Sequence, residues 1–179
     1  YFIGNRDGYS SIYRMSVDEN NPSLDNPSIV LRGEQTDEFE AFHLFSSKMD
    51  VNKNGILTFG SKSGETDALY IYDIKSKTIL NKYYFKNLTG ILSPSWSPGG
   101  KKIAFAGLSF SGYKDIYIFN TENTELIKLT NDFYDDNDPE AAYIAEVEPF
   151  YVVKRRFGSW GPLSRGVTEG LVSGFLDHT

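Results

Sequence analysis

The side chains that most often perform catalysis are scarce in this 179-residue chain, which has no Cys and only two His. His43 lies in the apolar segment Phe42-His43-Leu44, where a histidine more often packs or lines a channel than acts as a base. His178 lies beside the last residue. The segment 60–64 lacks the Gly-x-Ser-x-Gly spacing of a hydrolase nucleophile, and there is no phosphate-binding glycine loop or His-Glu-x-x-His motif. These residues predict no enzyme, no catalytic residue and no bound cofactor.

A single segment, Asp50-Val51-Asn52-Lys53-Asn54-Gly55, begins like the calcium loop of an EF-hand. The twelfth position of such a loop needs a bidentate Glu, and here it is Ser61. The pattern is typical of a plain Asn/Gly turn, so we predict no metal site.

Carboxylates are the remaining candidates, because the chain has 24 Asp+Glu against 18 Lys+Arg and a net charge of -6. That balance argues against a nucleic-acid surface. No apolar stretch approaches the ~18 residues of a membrane-spanning helix. The segments 34–40 and 132–138 combine acidic and aromatic residues. Such mixtures suit a basic or amphipathic peptide. The alternative is that they are ordinary solvated loops.

The elements that position these segments repeat along the chain. Segments 56–60 and 69–73 recur without a gap as 103–107 and 116–120, at a spacing of 47 residues, and a partial copy occupies Tyr1–Tyr13. Continuous apolar runs separated by Pro, Gly and Asn turns predict short strands covered on both faces. The third unit contains four predicted strands: Ser93–Ser97, Lys102–Gly107, Asp115–Asn120 and Glu125–Thr130. Four-stranded sheets repeating at this spacing are typical of β-propeller blades.

The segment from Ser95 to Phe105 also resembles the signature of TolB-type (WD-like) β-propeller repeats, in which the turn usually reads Ser-Pro-Asp-Gly. Here Gly99 replaces the Asp. Asn5–Tyr13 looks like the middle loop and third strand of the same repeat, whereas the middle unit is divergent, with Met49 in the position of Trp96. The resemblance covers about residues 1–139.

The fold class is therefore predicted as all-β, an incomplete β-propeller of four-stranded antiparallel blades with an irregular C-terminal tail. The propeller repeats occupy 1–139, as a partial blade at 1–32 and blades at 41–85 and 93–130. The tail, 140–179, departs from the pattern at Glu140–Pro149. It is either the product of a shifted reading frame, a genuine appendage, or a degenerate strand within 140–153 that packs on the last blade.

In propellers the blade-to-blade linkers share one rim with the loops between second and third strands. The acidic and aromatic segments should therefore meet at that rim. The candidate binding residues are Asp37, Glu38, Glu65, Asp67, Tyr113, Asp132, Tyr134, Asp135, Asp136 and Asp138.

The resemblance implies a non-catalytic, peptide- or protein-binding module of a bacterial envelope protein, located in the periplasm or outside the cell. Two alternatives stay open: a propeller that precedes a prolyl-oligopeptidase-like serine hydrolase domain, or a piece of a disrupted gene without function. The expected partner is a protein or peptide, with no nucleic acid and no membrane insertion. An arc of two to three blades also leaves apolar sheet faces uncovered, which predicts self-association.

Overall fold

The computed structural model describes residues 1–6, 8–16, 27–33, 41–43, 47–131, 136–142 and 151–155, giving the backbone alone for 137–142 and 151–155. Within these ranges every regular element is a β-strand, and all strand pairs are antiparallel. The described part of the chain holds no helix long and apolar enough to cross a membrane. The sheets are successive blades of an open propeller, as the repeat predicts.

In the described ranges the first blade has three strands, β1 (Phe2–Asn5), β2 (Ser10–Arg14) and β3 (Ser28–Arg32), paired in that order. The turn between β1 and β2 contains Gly8 at a φ of 89°, a left-handed conformation that glycine adopts without a Cβ clash.

The second blade has a divided innermost strand. Both β4 (Ala41–Phe42) and β5 (Asp50–Val51) pair with β6 (Ile56–Ser63), which is followed by β7 (Thr66–Asp73) and β8 (Thr78–Tyr83). In the segment that resembles a calcium loop, the Asn52 side-chain oxygen accepts the backbone N–H groups of Asn54 and Ile56, at 2.9 and 3.1 Å. That geometry is an Asn-capped turn.

The third blade contains β9 (Leu88–Trp96), β10 (Lys102–Ser109), β11 (Lys114–Asn120) and β12 (Leu126–Lys128). Its innermost strand begins five residues before the predicted Ser93. Pro94 lacks an N–H, and it is tolerated because the pairing with β10 is irregular at this point. The predicted turn is present: the Gly100 N–H donates to the Ser97 carbonyl at 2.8 Å.

Beyond the third blade, β13 (Asn137–Ala142) pairs with β14 (Tyr151–Arg155). β13 lies against β9 and β10 of the third blade and crosses the predicted propeller limit at 139. The three interpretations of the tail stay predictions. The remainder of the predicted irregular tail, 143–150 and 156–179, lies outside the described residues.

The apolar core lies between blades, because alternate residues of each middle strand face opposite neighbours. On β7, Tyr70 stacks on Phe59 toward the first blade, with ring centroids 5.0 Å apart. Leu69 instead joins the cluster shared with the third blade, which includes Phe105. Full burial of such side chains stabilises a fold by about 1.5–3 kcal/mol each. The continuous apolar runs therefore correspond to strands covered on both faces.

Candidate functional site

The loops between second and third strands lie at one end of the blades, which we call the rim. In the second blade the rim loop is 64–65, between β6 and β7. In the third blade it is 110–113, between β10 and β11. Residues 8–9 hold the corresponding place in the first blade, before β2. Because β6 and β10 both run toward this end, the first residues of β4 and β9 lie there too.

At the rim, the carboxylate of Asp67 joins two innermost strands. Its Oδ2 lies 2.7 Å from Nε2 of His43, just after β4, and accepts the backbone N–H of Ile91 on β9 at 2.8 Å. Asp67 is 4% exposed and His43 is 31% exposed. The carboxylate is therefore an internal connection between the second and third blades.

The hydrogen bond to Asp67 raises the pKa of His43 above its usual value, against the opposing effect of partial burial. The negative charge of Asp67 acts in the same direction. Protonated His43 and the buried carboxylate thus stabilise each other. Sequence reasoning did not pair these residues, because they are separated by 24 positions, with His43 just after β4 and Asp67 on β7.

A close backbone approach brings Ile91 within reach of Asp67. A Cβ built on Gly60 would lie 2.1 Å from the Ile91 carbonyl oxygen. Only a glycine fits between β6 and β9 at this point. Because Gly60 has no side chain, β9 lies close enough to β6 for the Ile91 N–H to reach the Asp67 carboxylate.

A second buried carboxylate, Asp115, holds the outer strand of the third blade. Its Oδ2 lies 2.9 Å from Nζ of Lys128, and hydrogen bonding to Asp115 raises the pKa of Lys128. Nearby, the backbone N–H of Asp136 donates to the Lys114 carbonyl at 3.0 Å, which ties the chain that follows the third blade to the rim.

The predicted binding residues differ in their placement. Glu65 and Tyr113 are exposed on the rim loops of neighbouring blades. Asp67 and Asp136 are buried, so neither presents its carboxylate to solvent. The Asp67 carboxylate accepts the Ile91 N–H, and the Asp136 backbone N–H donates to the Lys114 carbonyl. Asp138 lies in β13. The other five predictions lie outside the described residues: Asp37, Glu38, Asp132, Tyr134 and Asp135.

Phe110 is a rim residue that the sequence analysis did not select. It is 70% exposed, more than any other large apolar side chain in the described ranges. The repeat contained a usable signal, because Phe110 occupies the position of Ser63 in the preceding unit. The change from a polar to an apolar residue between the two copies indicates a feature that belongs to one blade and not to the repeat.

The residues of the calcium-like segment are also engaged in blade contacts. Asp50 accepts the backbone N–H of Val51 through Oδ1 and that of Trp96 through Oδ2, both at 2.8 Å. Across the described ranges, no three His, Asp or Glu side chains come together as a metal site.

Comparison with known proteins supports the fold. The chain is 25% identical over 120 residues to the Tol-Pal system protein TolB of Ruthia magnifica subsp. Calyptogena magnifica, an alignment that covers 67% of this chain and 26% of that protein. The chain thus spans about a quarter of the curated relative that it matches. No protein-family model matches the chain.

Two solved structures are similar in fold. TolB from Acinetobacter baumannii superposes with a TM-score of 0.52 at 20% identity, covering 82% of this chain and 35% of that one. A putative TolB from Agrobacterium tumefaciens gives a TM-score of 0.55 at 16% identity, covering 87% of this chain and 49% of that one. The repeats of this chain are TolB-like propeller blades.

Proposed function

We propose that this chain, which is built of TolB-like propeller blades, is a non-catalytic module that binds a peptide segment of another protein at its rim. The observation that carries the proposal is the pair of exposed aromatic side chains on one rim loop, Phe110 at 70% and Tyr113 at 46% exposure. Aromatic side chains are enriched in protein interfaces, where they bury a large area with few rotatable bonds. The TolB likeness supports a bacterial envelope location.

The loop that carries both aromatics is held in one conformation. The Ser109 N–H donates to the Tyr113 carbonyl at 2.9 Å, and the Gly112 N–H donates to the Ser109 carbonyl at 3.0 Å. Gly112 has a φ of 89°, which closes this tight turn. A loop that is ordered before binding loses little conformational entropy when a partner docks. The aromatic pair is therefore a preformed contact surface.

The electrostatic part of the proposal rests on Glu65, which is exposed on the adjacent rim loop. Asp37, Glu38, Asp132, Asp135 and Asp138 would add negative charge at the same rim, and Tyr134 a further aromatic ring. We propose that Asp67 and Asp136 position the rim instead of contacting the partner. A partner segment with apolar and basic side chains fits this composition.

The geometry of His43 supports a non-catalytic role. Its Nε2 atom pairs with Asp67, whose carboxylate also accepts the Ile91 N–H. The pair is thus part of the connection between two blades. We propose that the histidine has a structural function in the rim.

Binding can be tested by fluorescence anisotropy with a labelled 12-residue peptide of alternating Leu and Lys, and with a Ser/Glu peptide of equal length as a reference. The double variant Phe110→Ser/Tyr113→Ser should weaken binding of the Leu/Lys peptide by roughly tenfold or more, since interface aromatics often contribute above 1 kcal/mol each. Leu80→Ser is the matched control, because Leu80 is exposed on the outer strand β8. Equal affinity of both peptides for the unaltered chain would contradict the proposal.

The charge contribution is tested separately with Glu65→Lys. We expect weaker binding and a smaller dependence of affinity on salt, because an attractive rim charge becomes repulsive. Glu122→Lys is the control, since Glu122 is similarly charged and exposed but lies in the turn after β11, at the opposite end of the blade. An identical response of the two variants would show that net charge, and not the rim, governs binding.

A further inference from the structure

A tyrosine on the outer part of the second blade lies in an unusual polar environment. The Tyr84 hydroxyl lies 2.9 Å from Oγ of Ser63. Nζ of Lys82 lies 5.2 Å from the ring centroid of Tyr84 and 5.2 Å from that of Tyr70. Tyr84 is 54% exposed, whereas Tyr70 is fully buried. One phenol that solvent reaches is therefore flanked by a hydroxyl and an ammonium group.

The strand register explains this arrangement. Lys82 lies directly opposite Tyr70 in the pairing of β7 with β8, so both side chains project from the same face of the sheet. Tyr84 follows two residues later and keeps to that face. The Tyr70 ring is fully buried and is stacked on Phe59. Lys82 is thus held between a buried ring and an exposed one.

The electrostatic effect on Tyr84 follows from these contacts. Hydrogen bonding to Lys82 and then to Ser63 lowers the pKa of the Tyr84 phenol below its usual value. Partial burial lowers the pKa of Lys82, but hydrogen bonding and charge interaction with Tyr84 and Tyr70 together outweigh this effect, so the net shift is upward. Lys82 therefore stays protonated while the phenol ionises.

We propose that Tyr84 is a nucleophilic tyrosine, a modification site that accepts an acyl group from an activated acyl donor. The Tyr84 oxygen attacks the carbonyl carbon of the donor and forms an O–C bond. The bond from that carbon to the leaving group breaks, and the leaving group takes up the proton that the phenol releases. With an N-acylimidazole donor the products are O-acyl Tyr84 and imidazole. Lys82 and Ser63 stabilise the phenoxide without forming a bond to the acyl group.

The geometry makes this proposal specific to one residue. Tyr113 is exposed to a similar extent, 46%, so a difference in reactivity between the two cannot come from access alone. A stabilised phenoxide is intrinsically less nucleophilic, but its larger population outweighs that loss when the Brønsted coefficient is well below one, as it is for thiolates. We expect Tyr84 to react roughly threefold or more faster than Tyr113 at neutral pH.

The experiment treats the full chain with N-acetylimidazole and follows each tyrosine by tandem mass spectrometry. Hydroxylamine removes acetyl groups from tyrosine oxygen but not from lysine nitrogen, so acetylation of Lys82 itself is distinguished. Lys82→Met should slow acetylation of Tyr84 by roughly threefold and leave Tyr113 unchanged. Lys86→Met is the control, because Lys86 is an exposed lysine two residues beyond Tyr84. In strong denaturant Tyr84 and Tyr113 should react at equal rates.

The results separate the proposal from a purely structural role of the cluster. Equal rates at Tyr84 and Tyr113 in the folded chain would overturn it, as would an unchanged Tyr84 rate in Lys82→Met. If circular dichroism shows that Lys82→Met does not fold, Ser63→Ala decides, because it removes one stabilising hydroxyl and keeps the ammonium group. Slower acetylation of Tyr84 in folded Ser63→Ala supports the proposal, and an unchanged rate refutes it.

Discussion

Replacing Asp67 by alanine should destabilise the junction between the second and third blades. The substitution removes the hydrogen bond from the Ile91 N–H to the carboxylate, a class of interaction worth about 1.5–3 kcal/mol. It also leaves that buried N–H without its acceptor, while the chain recovers the desolvation energy of the buried charge. The two effects partly offset each other. We expect a net loss of about 2–3 kcal/mol in the free energy of unfolding.

Asp67→Asn is the matched variant, because its amide oxygen can still accept the Ile91 N–H while the negative charge is lost. We expect a loss of about 1 kcal/mol. Comparing the two losses in the free energy of unfolding separates the contribution of the hydrogen bond from that of the charge. Equal losses for Ala and Asn would indicate that the charge dominates.

The charge also predicts a pH dependence. Because Asp67 raises the pKa of His43 in the folded state, the pair contributes its full stability below the unfolded histidine pKa of 6.5. This contribution disappears as the pH rises through the folded-state pKa. His43→Gln should therefore destabilise the chain more at pH 5.5 than at pH 8.5. Since His43 is about one third exposed, we expect a difference below about 1 kcal/mol.

Urea unfolding monitored by Trp96 fluorescence provides the assay. Trp96 is nearly buried on the innermost strand β9, and Trp160→Phe makes it the only tryptophan. The variants should be compared at one protein concentration, because association would change the apparent stability. If the free energy of unfolding of Asp67→Ala were within about 0.5 kcal/mol of the parent value, Asp67 would not stabilise the junction between the blades. If His43→Gln lowered the free energy of unfolding more at high pH than at low pH, the predicted direction of the pH dependence would be wrong.

Three further predictions concern other parts of the fold. Gly60→Ala should lower the free energy of unfolding by about 2 kcal/mol or more in the same urea assay, because its Cβ would overlap the Ile91 carbonyl; an unchanged midpoint would contradict the close approach. Lys128→Met should cost about 1–2 kcal/mol by leaving the Asp115 carboxylate buried without its ammonium partner, whereas Lys101→Met, which breaks an exposed pair, should have little effect. Finally, the exposed apolar side chains of the first blade, among them Phe2 and Ile29, should cause self-association of the chain, which light scattering measures; a monodisperse monomer of about 20 kDa would contradict this prediction.

The repeat predicted the fold because blade packing imposes a local pattern. Each middle strand touches a neighbour on both faces, so it must be continuously apolar, and the runs at 69–72 and 116–119 show this directly. Turn chemistry is equally local: Pro98 and Gly100 occupy positions whose backbone angles they favour. Even so, the start of β9 was predicted five residues late, because the segment before Ser93 contains Asn87 and Gly90, residue types that are typical of turns.

The candidate site could be predicted only in part. The sequence placed Glu65, Asp67 and Tyr113 in rim loops, but the strand bounds put Asp67 on β7, beside the loop that contains Glu65. It could not distinguish the exposed Glu65 from the buried Asp67, although the two are separated by a single residue. Burial of Asp67 depends on a backbone N–H that arrives from the next blade, at Ile91. The residues near Asp67 in the sequence do not indicate that this donor is present.

The sequence by itself determined the class of fold, the blade spacing and the turns, since these depend on interactions between residues close along the chain. Tertiary structure alone decided the roles of the polar side chains. His43 and Asp67 lie 24 positions apart, and Ser63 and Tyr84 lie 21 apart. Their pairing depends on strand register and on how closely two blades approach at Gly60. Hydrogen bonds and charge pairs act over about 3 Å, so their partners are set by the packed strands and not by spacing in the chain.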